Sequence, residues 1–155
     1  MDDPGASARS RNMRAIGRRN TNPELIVRRH LHANGLRFRV DVGALPGRPD
    51  VVLRRWNAAI MVHGCFWHRH PGCRYASTPS SNVHFWESKF RRNVERDARS
   101  LADLRGAGWR VAVMWECALR PVTRDRALAD LVSWITSDSV TAHNSDIVAP
   151  PVPKN

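Results

Sequence analysis

The three cysteines of this 155-residue chain restrict its fold more tightly than any other feature. Cys65 and Cys73 flank His70 within one short run, and Cys117 lies far downstream, after the apolar run 111–116. Three thiolates and one imidazole suit a tetrahedral structural zinc ion. We therefore expect these four residues to hold zinc. Two alternatives are that His68 replaces His70 as a ligand, and that the cysteines are ordinary buried residues.

The bulk composition favours one globular domain. The chain is 42% apolar, which is enough for a real core, and no stretch approaches the roughly 20 apolar residues of a membrane span. Residues 1–19 are polar and rich in arginine, unlike a secretory signal. Three cysteines cannot all pair as disulfides, which favours a reducing cytosol. We expect a cytoplasmic protein that does not enter the membrane.

The charge predicts a polyanionic partner. The formal net charge is +11 and the pI is about 11.3. Residues 7–40 contain nine arginines and one acid, Glu24, and a second basic run covers residues 89–99. Arginine binds phosphate through two parallel hydrogen bonds. A genome that favours arginine codons would explain arginine over lysine, but not the excess of bases over acids. We therefore expect nucleic acid as the partner.

Local patterns predict an α/β domain with a mixed sheet. Residues 21–24 match a capping box with an early proline, which predicts a helix to about residue 34. Further helices are expected at 83–107 and 124–135, and strands at 36–42, 50–53, 58–62 and 109–115. This order predicts a sheet flanked by helices. We expect a flexible basic arm at 1–19, a folded domain at 20–136, and a disordered tail at 137–155.

Asp50 is the first candidate for chemistry, because it opens a strand directly after a turn. A carboxylate there is exposed at the sheet edge and can hold a hard cation such as Mg²⁺. Many nucleases follow such an aspartate with an acid-x-Lys pair on the next strand, but residues 59–63 contain neither residue. His68 is then the natural general base, with Glu24 as a second carboxylate and His63 oriented towards a phosphate. The alternative for Asp50 is an ordinary turn residue.

Aromatic residues beside arginines form a second candidate surface. Phe66 and Trp67 lie on the loop between the proposed zinc ligands, and Trp86 begins the basic helix. Exposed aromatics in a basic setting can stack on bases or wedge between base pairs. Capping of the zinc site by Phe66 and Trp67 is the alternative. In the N-terminal arm, Met13 and Ile16 could pack one face of a short helix or contact a groove.

Several long motifs, in order, closely resemble the very-short-patch repair (Vsr) DNA mismatch endonucleases. The resemblance covers about residues 9–120. It rests on the segments 9–16, 45–50, 63–68, 93–97, 108–111 and 115–120. It implies a restriction-endonuclease-like fold with structural zinc, and Mg²⁺-dependent, strand-specific nicking of duplex DNA 5′ to the thymine of a T:G mispair. Such mispairs arise when 5-methylcytosine deaminates. We therefore expect a monomer that is associated with the bacterial nucleoid, and downstream repair proteins that act after it.

The resemblance also implies roles for individual residues. Asp50 and the backbone carbonyl of Val62, where the family often has threonine, would bind Mg²⁺. His68 would be the general base, supported by Glu24 and His63. The zinc ligands would be Cys65, His70, Cys73 and Cys117. The residues expected to contact DNA are Met13, Arg14, Ile16, Phe66, Trp67, Trp86, Lys89 and Asn93.

Two alternative mechanisms remain open at this point. A two-metal mechanism would have little need for His68. A zinc-stabilised protein that binds distorted duplex without cutting it would need neither Asp50 nor His68.

Overall fold

The computed structural model of the protein describes residues 20–40, 42–137 and 144–145. The predicted arm and most of the predicted tail lie outside this range, so both boundaries stay predictions. The described helices and strands are α1 (Asn22–Ala33), β1 (Val51–Leu53), β2 (Ala58–His63), α2 (Val83–Gly106), β3 (Arg110–Trp115), α3 (Arg124–Thr136) and β4 (Asn144–Ser145). Within these ranges, no helix combines the length and apolarity that a membrane crossing requires.

The strands form one mixed sheet in the order β1-β2-β3-β4. β1 runs antiparallel to β2, with Val51 opposite Ile60, whereas β2 and β3 run parallel. The two-residue strand β4 adds in parallel to β3. A parallel pair needs a crossover connection, and helix α2 provides it between β2 and β3. The expected mixed α/β architecture is therefore confirmed.

Alternating strand residues pack on opposite faces of the sheet. On one face Ile60 and Met114 join the core that includes residues of α1 and α3. On the other face Met61 and Val113 pack with Leu104 of α2. The sheet is thus sandwiched between α2 on one side and α1 with α3 on the other.

Two local predictions differ from the structure. In the segment predicted as a strand at 36–42, the described residues form an isolated antiparallel bridge between Arg39 and Val52. The neighbouring strand β1 is only three residues long, which gives this segment little edge to pair with. At the start of α1, Thr21 makes no side-chain cap. Glu24 instead accepts a hydrogen bond at 3.0 Å from the backbone N–H of Asn20, one residue before the N-cap, and not the Thr21 bond of a capping box.

The strand directions bring distant segments to one edge of the sheet. Because β1 is antiparallel to β2 and β3, the start of β1 lies beside the ends of the other two strands. Asp50 precedes β1, His63 ends β2, and Trp115 ends β3. The candidate residues on either side of these strand ends are therefore brought together.

Candidate metal centre and active site

Cys65, His70, Cys73 and Cys117 converge in a buried cluster. All four potential ligand atoms lie within 4.8 Å of one another. The His70 Nδ1 atom is 3.7 Å from Cys65 Sγ and 3.4 Å from Cys117 Sγ. Tetrahedral zinc with ordinary Zn–S and Zn–N bonds would separate these ligand atoms by about 3.6 Å. The donor set and its spacing therefore fit zinc, and they favour His70 over His68 as the fourth ligand.

Backbone turns and one aromatic side chain shape this cluster. The His70 N–H donates to the Cys65 carbonyl at 3.1 Å, and the Cys73 N–H donates to the His70 carbonyl at 3.2 Å. Trp115 stacks on the His70 ring, with 4.2 Å between centroids and 9° between planes. Burial raises the pKa of the Cys65 thiol. A buried thiolate therefore needs a cation such as a metal ion nearby.

Asp50 is held at the sheet edge by β2. Its backbone N–H donates to the Ile60 carbonyl at 3.0 Å, and its Oδ2 accepts from the Val62 N–H at 2.6 Å. Burial raises the pKa of Asp50 from 3.8 to about 6, while the Val62 hydrogen bond opposes this change. A strand residue directs its N–H and C=O to the same side, so the Val62 carbonyl also faces Asp50.

Glu24 contributes a second carboxylate to the same cleft. It is buried, and its Oε2 accepts from Arg28 Nη2 at 3.1 Å. Its negative charge is a further cause of the raised Asp50 pKa, which indicates that the two carboxylates interact. The open cleft has a volume of about 190 Å³. It is lined by Asn20, Glu24, Arg28, Val40, Arg48, Pro49 and Asp50. Two acids and two arginines thus border one small space.

His68 pairs with Asp97, a residue that the sequence reasoning did not assign. The His68 Nδ1 and Asp97 Oδ2 atoms are 2.6 Å apart. An ionised carboxylate can only accept, so Nδ1 is the donor and the imidazole is left with Nε2 as its proton acceptor. Asp97 lies in α2, four residues after Asn93, and both side chains reach the loop after β2. That helical spacing, within the motif 93–97, was the available signal.

His63 packs directly beneath this pair. Its ring stacks on His68 with 3.9 Å between centroids and 6° between planes, and Trp115 meets it edge-on. Burial and, to a lesser extent, the nearby His68 lower the pKa of His63 to about 3, while Asp97 opposes this change. The His63 Nε2 atom is buried and has no hydrogen-bond partner among the described residues. His63 is thus a neutral ring with one unused polar atom beside the proposed base.

The loop aromatics form a cluster against α2. Phe66 meets Trp67 and Phe90 edge-on, each with 5.2 Å between ring centroids. Trp86 lies beneath them with only 5% exposure, so direct stacking of Trp86 on DNA would require the cluster to open. Phe85, which the sequence reasoning left out, is 53% exposed. Phe66 and Trp67 are only partly buried, so both remain candidates for contact with DNA.

Polar side chains from α2 fix Trp67. The Lys89 Nζ atom lies 5.1 Å from its ring centroid, and Asn93 Nδ2 donates to its carbonyl at 3.2 Å. The structure therefore gathers Phe66, Trp67, Lys89 and Asn93 in one place. Met13, Arg14 and Ile16 lie outside the described residues, and their expected groove contacts stay predictions.

Comparison with known proteins gives a consistent family assignment. A family model described as DNA mismatch endonuclease Vsr matches residues 1–74. The DNA mismatch endonuclease Vsr of Escherichia coli (strain K12) is 43% identical over 139 residues, 88% of each chain. The type II nicking enzyme V.XorIIP of Xanthomonas oryzae pv. oryzae is 46% identical over 107 residues, 69% of this chain and 78% of that protein. The type II nicking enzyme V.NaeI of Lentzea aerocolonigenes is 40% identical over 118 residues, 73% of this chain and 70% of that protein.

These relatives belong to the family that the sequence motifs resemble. The identity to the E. coli protein extends far beyond the Cys/His loop and includes most of the chain. The chain therefore belongs to the family of Vsr DNA mismatch endonucleases.

Proposed function

We propose that this endonuclease nicks duplex DNA 5′ to the thymine of a T:G mispair, with Mg²⁺, and so initiates very short patch repair of deaminated 5-methylcytosine. The observation that carries the proposal is the convergence at one sheet edge of the partly buried Asp50 carboxylate and the His68–Asp97 pair. A positive charge on His68 would lower the pKa of Asp50, so the two side chains lie close enough to interact electrostatically.

Asp50 and the Val62 carbonyl would hold the Mg²⁺ ion. The pKa of Asp50 is raised to about 6 because burial stabilises its anion poorly. A cation bound at this position would stabilise that anion. When bound, Mg²⁺ offsets charge on the scissile phosphate and acidifies a coordinated water. Glu24 would add a second carboxylate to the same cleft. If the metal is bound through the Val62 backbone carbonyl, valine serves and a threonine hydroxyl is not required.

His68 would remove the proton from the attacking water through Nε2. Asp97 holds the opposite ring nitrogen and would stabilise the imidazolium that forms, as in other His–Asp pairs. His63 keeps the His68 ring in its plane by stacking, and it stays neutral because of its burial. The expected products are a 3′-hydroxyl and a 5′-phosphate.

The Cys/His cluster would hold a structural zinc ion, and we assign the domain to the restriction-endonuclease-like folds. The closed set of four protein ligands leaves no position for substrate, which is typical of structural zinc. The mixed sheet with an aspartate at a strand start supports the fold assignment. The expected partner is double-stranded DNA bound by a monomer at the nucleoid, and downstream repair proteins would act on the nick.

Recognition of the mispair would use the aromatic cluster. Phe66 and Trp67 would enter the stack beside the mispair, supported by Trp86 underneath. Unstacking a base step costs on the order of a few kcal/mol, and less at a mispair. This difference would favour mispaired over paired DNA.

The test is a nicking assay on one strand-labelled T:G duplex and its T:A counterpart, with Mg²⁺ and with EDTA. We expect Mg²⁺-dependent nicking of the T:G duplex, and its loss in Asp50→Ala and His68→Ala proteins that still bind the mispair. Asp97→Asn should lower the rate by about 100-fold or more, because the amide no longer enforces the reactive tautomer.

Two outcomes would contradict this assignment. Absence of cleavage across salt conditions and flanking sequences, with retained mispair binding, would favour a zinc-stabilised binding protein. Normal cleavage by His68→Ala would remove the general-base role and favour a two-metal mechanism.

A further inference from the structure

Arg69 lies on the loop between the zinc ligands, and its guanidinium joins three parts of that region. Nη1 donates to the carbonyls of Phe66 at 3.2 Å and Ser77 at 3.0 Å. Nη2 donates to the Ala76 carbonyl and to Thr78 Oγ1, each at 3.0 Å. Three of these hydrogen bonds tie the aromatic loop to residues 76–78, which follow Cys73, and the fourth lies within the loop.

The same guanidinium also connects the loop to helix α2. Its carbon lies 3.9 Å from the ring centroid of Phe90 and 5.9 Å from that of Phe66. A cation over an aromatic face is attracted to the negative face of the ring, and more strongly when the pair is shielded from water. Phe90 is buried in α2 and supports Phe66 from below. Arg69 therefore contacts both the backbone and the support of the proposed wedge.

The backbone of Arg69 is constrained as well. Its φ angle is +53°, a conformation that residues other than glycine rarely adopt. Such a residue persists when surrounding contacts determine its conformation. The hydrogen bonds and the ring contact of the Arg69 guanidinium hold its backbone in this conformation. The ends of the loop are fixed by Cys65 and His70, but the residues between them depend on other groups.

We propose that Arg69 is a positioning residue that sets mispair selectivity by holding Phe66 and Trp67 in the orientation that enters the base stack. This inference rests on the proposed function. A planar guanidinium with several fixed donors can satisfy carbonyls on both sides of the loop while it stacks on Phe90, whereas an ammonium group cannot. Without Arg69, the aromatic loop would have to order itself during DNA binding, and selective insertion would weaken.

The experiment compares Arg69→Lys with wild type on T:G and T:A duplexes under single-turnover conditions. We expect the ratio of the two nicking rates to fall by about 10-fold, with stoichiometric zinc retained. A 2-aminopurine placed next to the mispair gives an independent readout, because unstacking raises its fluorescence. Its enhancement on binding should fall in parallel. Thr78→Ala, which removes one exposed partner of Arg69, should lower the ratio in the same direction by about 2-fold.

Arg110 provides a matched control. It donates to the Trp56 and Ile135 carbonyls and lies 4.5 Å from the ring centroid of Trp134, far from the loop. Arg110→Lys should lower the melting temperature without changing the T:G to T:A ratio.

The inference fails if Arg69→Lys keeps the wild-type ratio, or if it slows nicking of both duplexes equally. Either result would reduce Arg69 to a structural role. Failure of wild-type protein to nick or unstack the T:G duplex would instead refute the proposed function itself.

Discussion

Two effects act in opposite directions on the negative charge of Asp50. Burial disfavours its negative charge, while the Val62 N–H at 2.6 Å and the charges of His68 and Arg28 favour it. Burial has the larger effect, since the pKa rises to about 6. Asp50 is therefore a source of instability that a bound cation would remove. Functional residues often reduce stability in this way.

Replacing Asp50 with asparagine should stabilise the Mg²⁺-free protein at neutral pH. Between pH 3.8 and about 6 the native state binds more protons at this site than the unfolded state does, so its stability falls as pH rises through that window. Above pH 6 the Asp50 carboxyl is ionised in both states, so the full loss of stability caused by its burial remains. The shift of about two pKa units corresponds to at most about 3 kcal/mol, and the amide oxygen can still accept from Val62. Urea unfolding at pH 8 and at pH 4.5 measures the difference.

The stabilisation by asparagine should shrink markedly at pH 4.5, where the carboxyl is largely protonated in the native state. Mg²⁺ provides the control, because it should raise the melting temperature of wild type but not that of Asp50→Asn. An asparagine variant that is less stable than wild type at pH 8 would show that the burial of Asp50 carries no penalty.

At the scale of elements, the turn before β1 and helix α2 are fitted closely to each other. Gly47 has a φ angle of +71°, and a Cβ atom built on it would lie 2.6 Å from Ser100 Cβ. Ser100 belongs to α2, which also carries Asp97. The turn that precedes Asp50 and the helix that orients His68 are therefore in direct contact. This contact fixes the position of Asp50 relative to His68.

Gly47→Ala should destabilise the protein by about 1–3 kcal/mol, because the methyl group meets both a disfavoured φ angle and Ser100. Nicking should slow as well, since the turn must shift away from α2. Denaturant unfolding and a nicking assay check both effects. Gly106→Ala is the control: that methyl group would meet open space at the end of α2, and the helix should gain up to about 1 kcal/mol. Equal stability of the two variants would contradict the close fit.

For the whole molecule, Trp115 connects the Cys/His cluster to His63 and His68, the proposed catalytic histidines. One face of its ring stacks on His70, and the ring meets His63 edge-on. His63 in turn stacks on His68. Loss of zinc would therefore disturb the proposed general base through a continuous series of packed rings.

Cys117→Ser should release zinc, lower the melting temperature and abolish nicking even with saturating Mg²⁺. Cys117 comes from a different part of the chain than the other three ligands, so its loss opens the cluster towards β3. Metal analysis by mass spectrometry and a thermal melt measure these effects. Pro71→Ala, an exposed change in the same loop, should keep zinc and activity. Stoichiometric zinc in Cys117→Ser would refute the ligand set.

The sequence by itself determined the features that depend on local pattern and on residue chemistry. Helical periodicity predicted α2 and α3 within one residue of their observed ends, because a buried stripe recurs every turn. The basic excess and the scarcity of cysteine pointed to DNA and to a metal cluster. These inferences succeeded because each uses neighbouring residues, or a residue type with few alternative uses.

Tertiary structure decided which side chains meet across the sheet edge. It separated His70, which joins the cysteines, from His68, which joins Asp97, although only two positions separate them in sequence. It also buried Trp86 and exposed Phe85. The reason is physical, because these contacts depend on how α2 packs against loops that are distant in sequence. Local periodicity does not specify which side chains from such distant segments will meet.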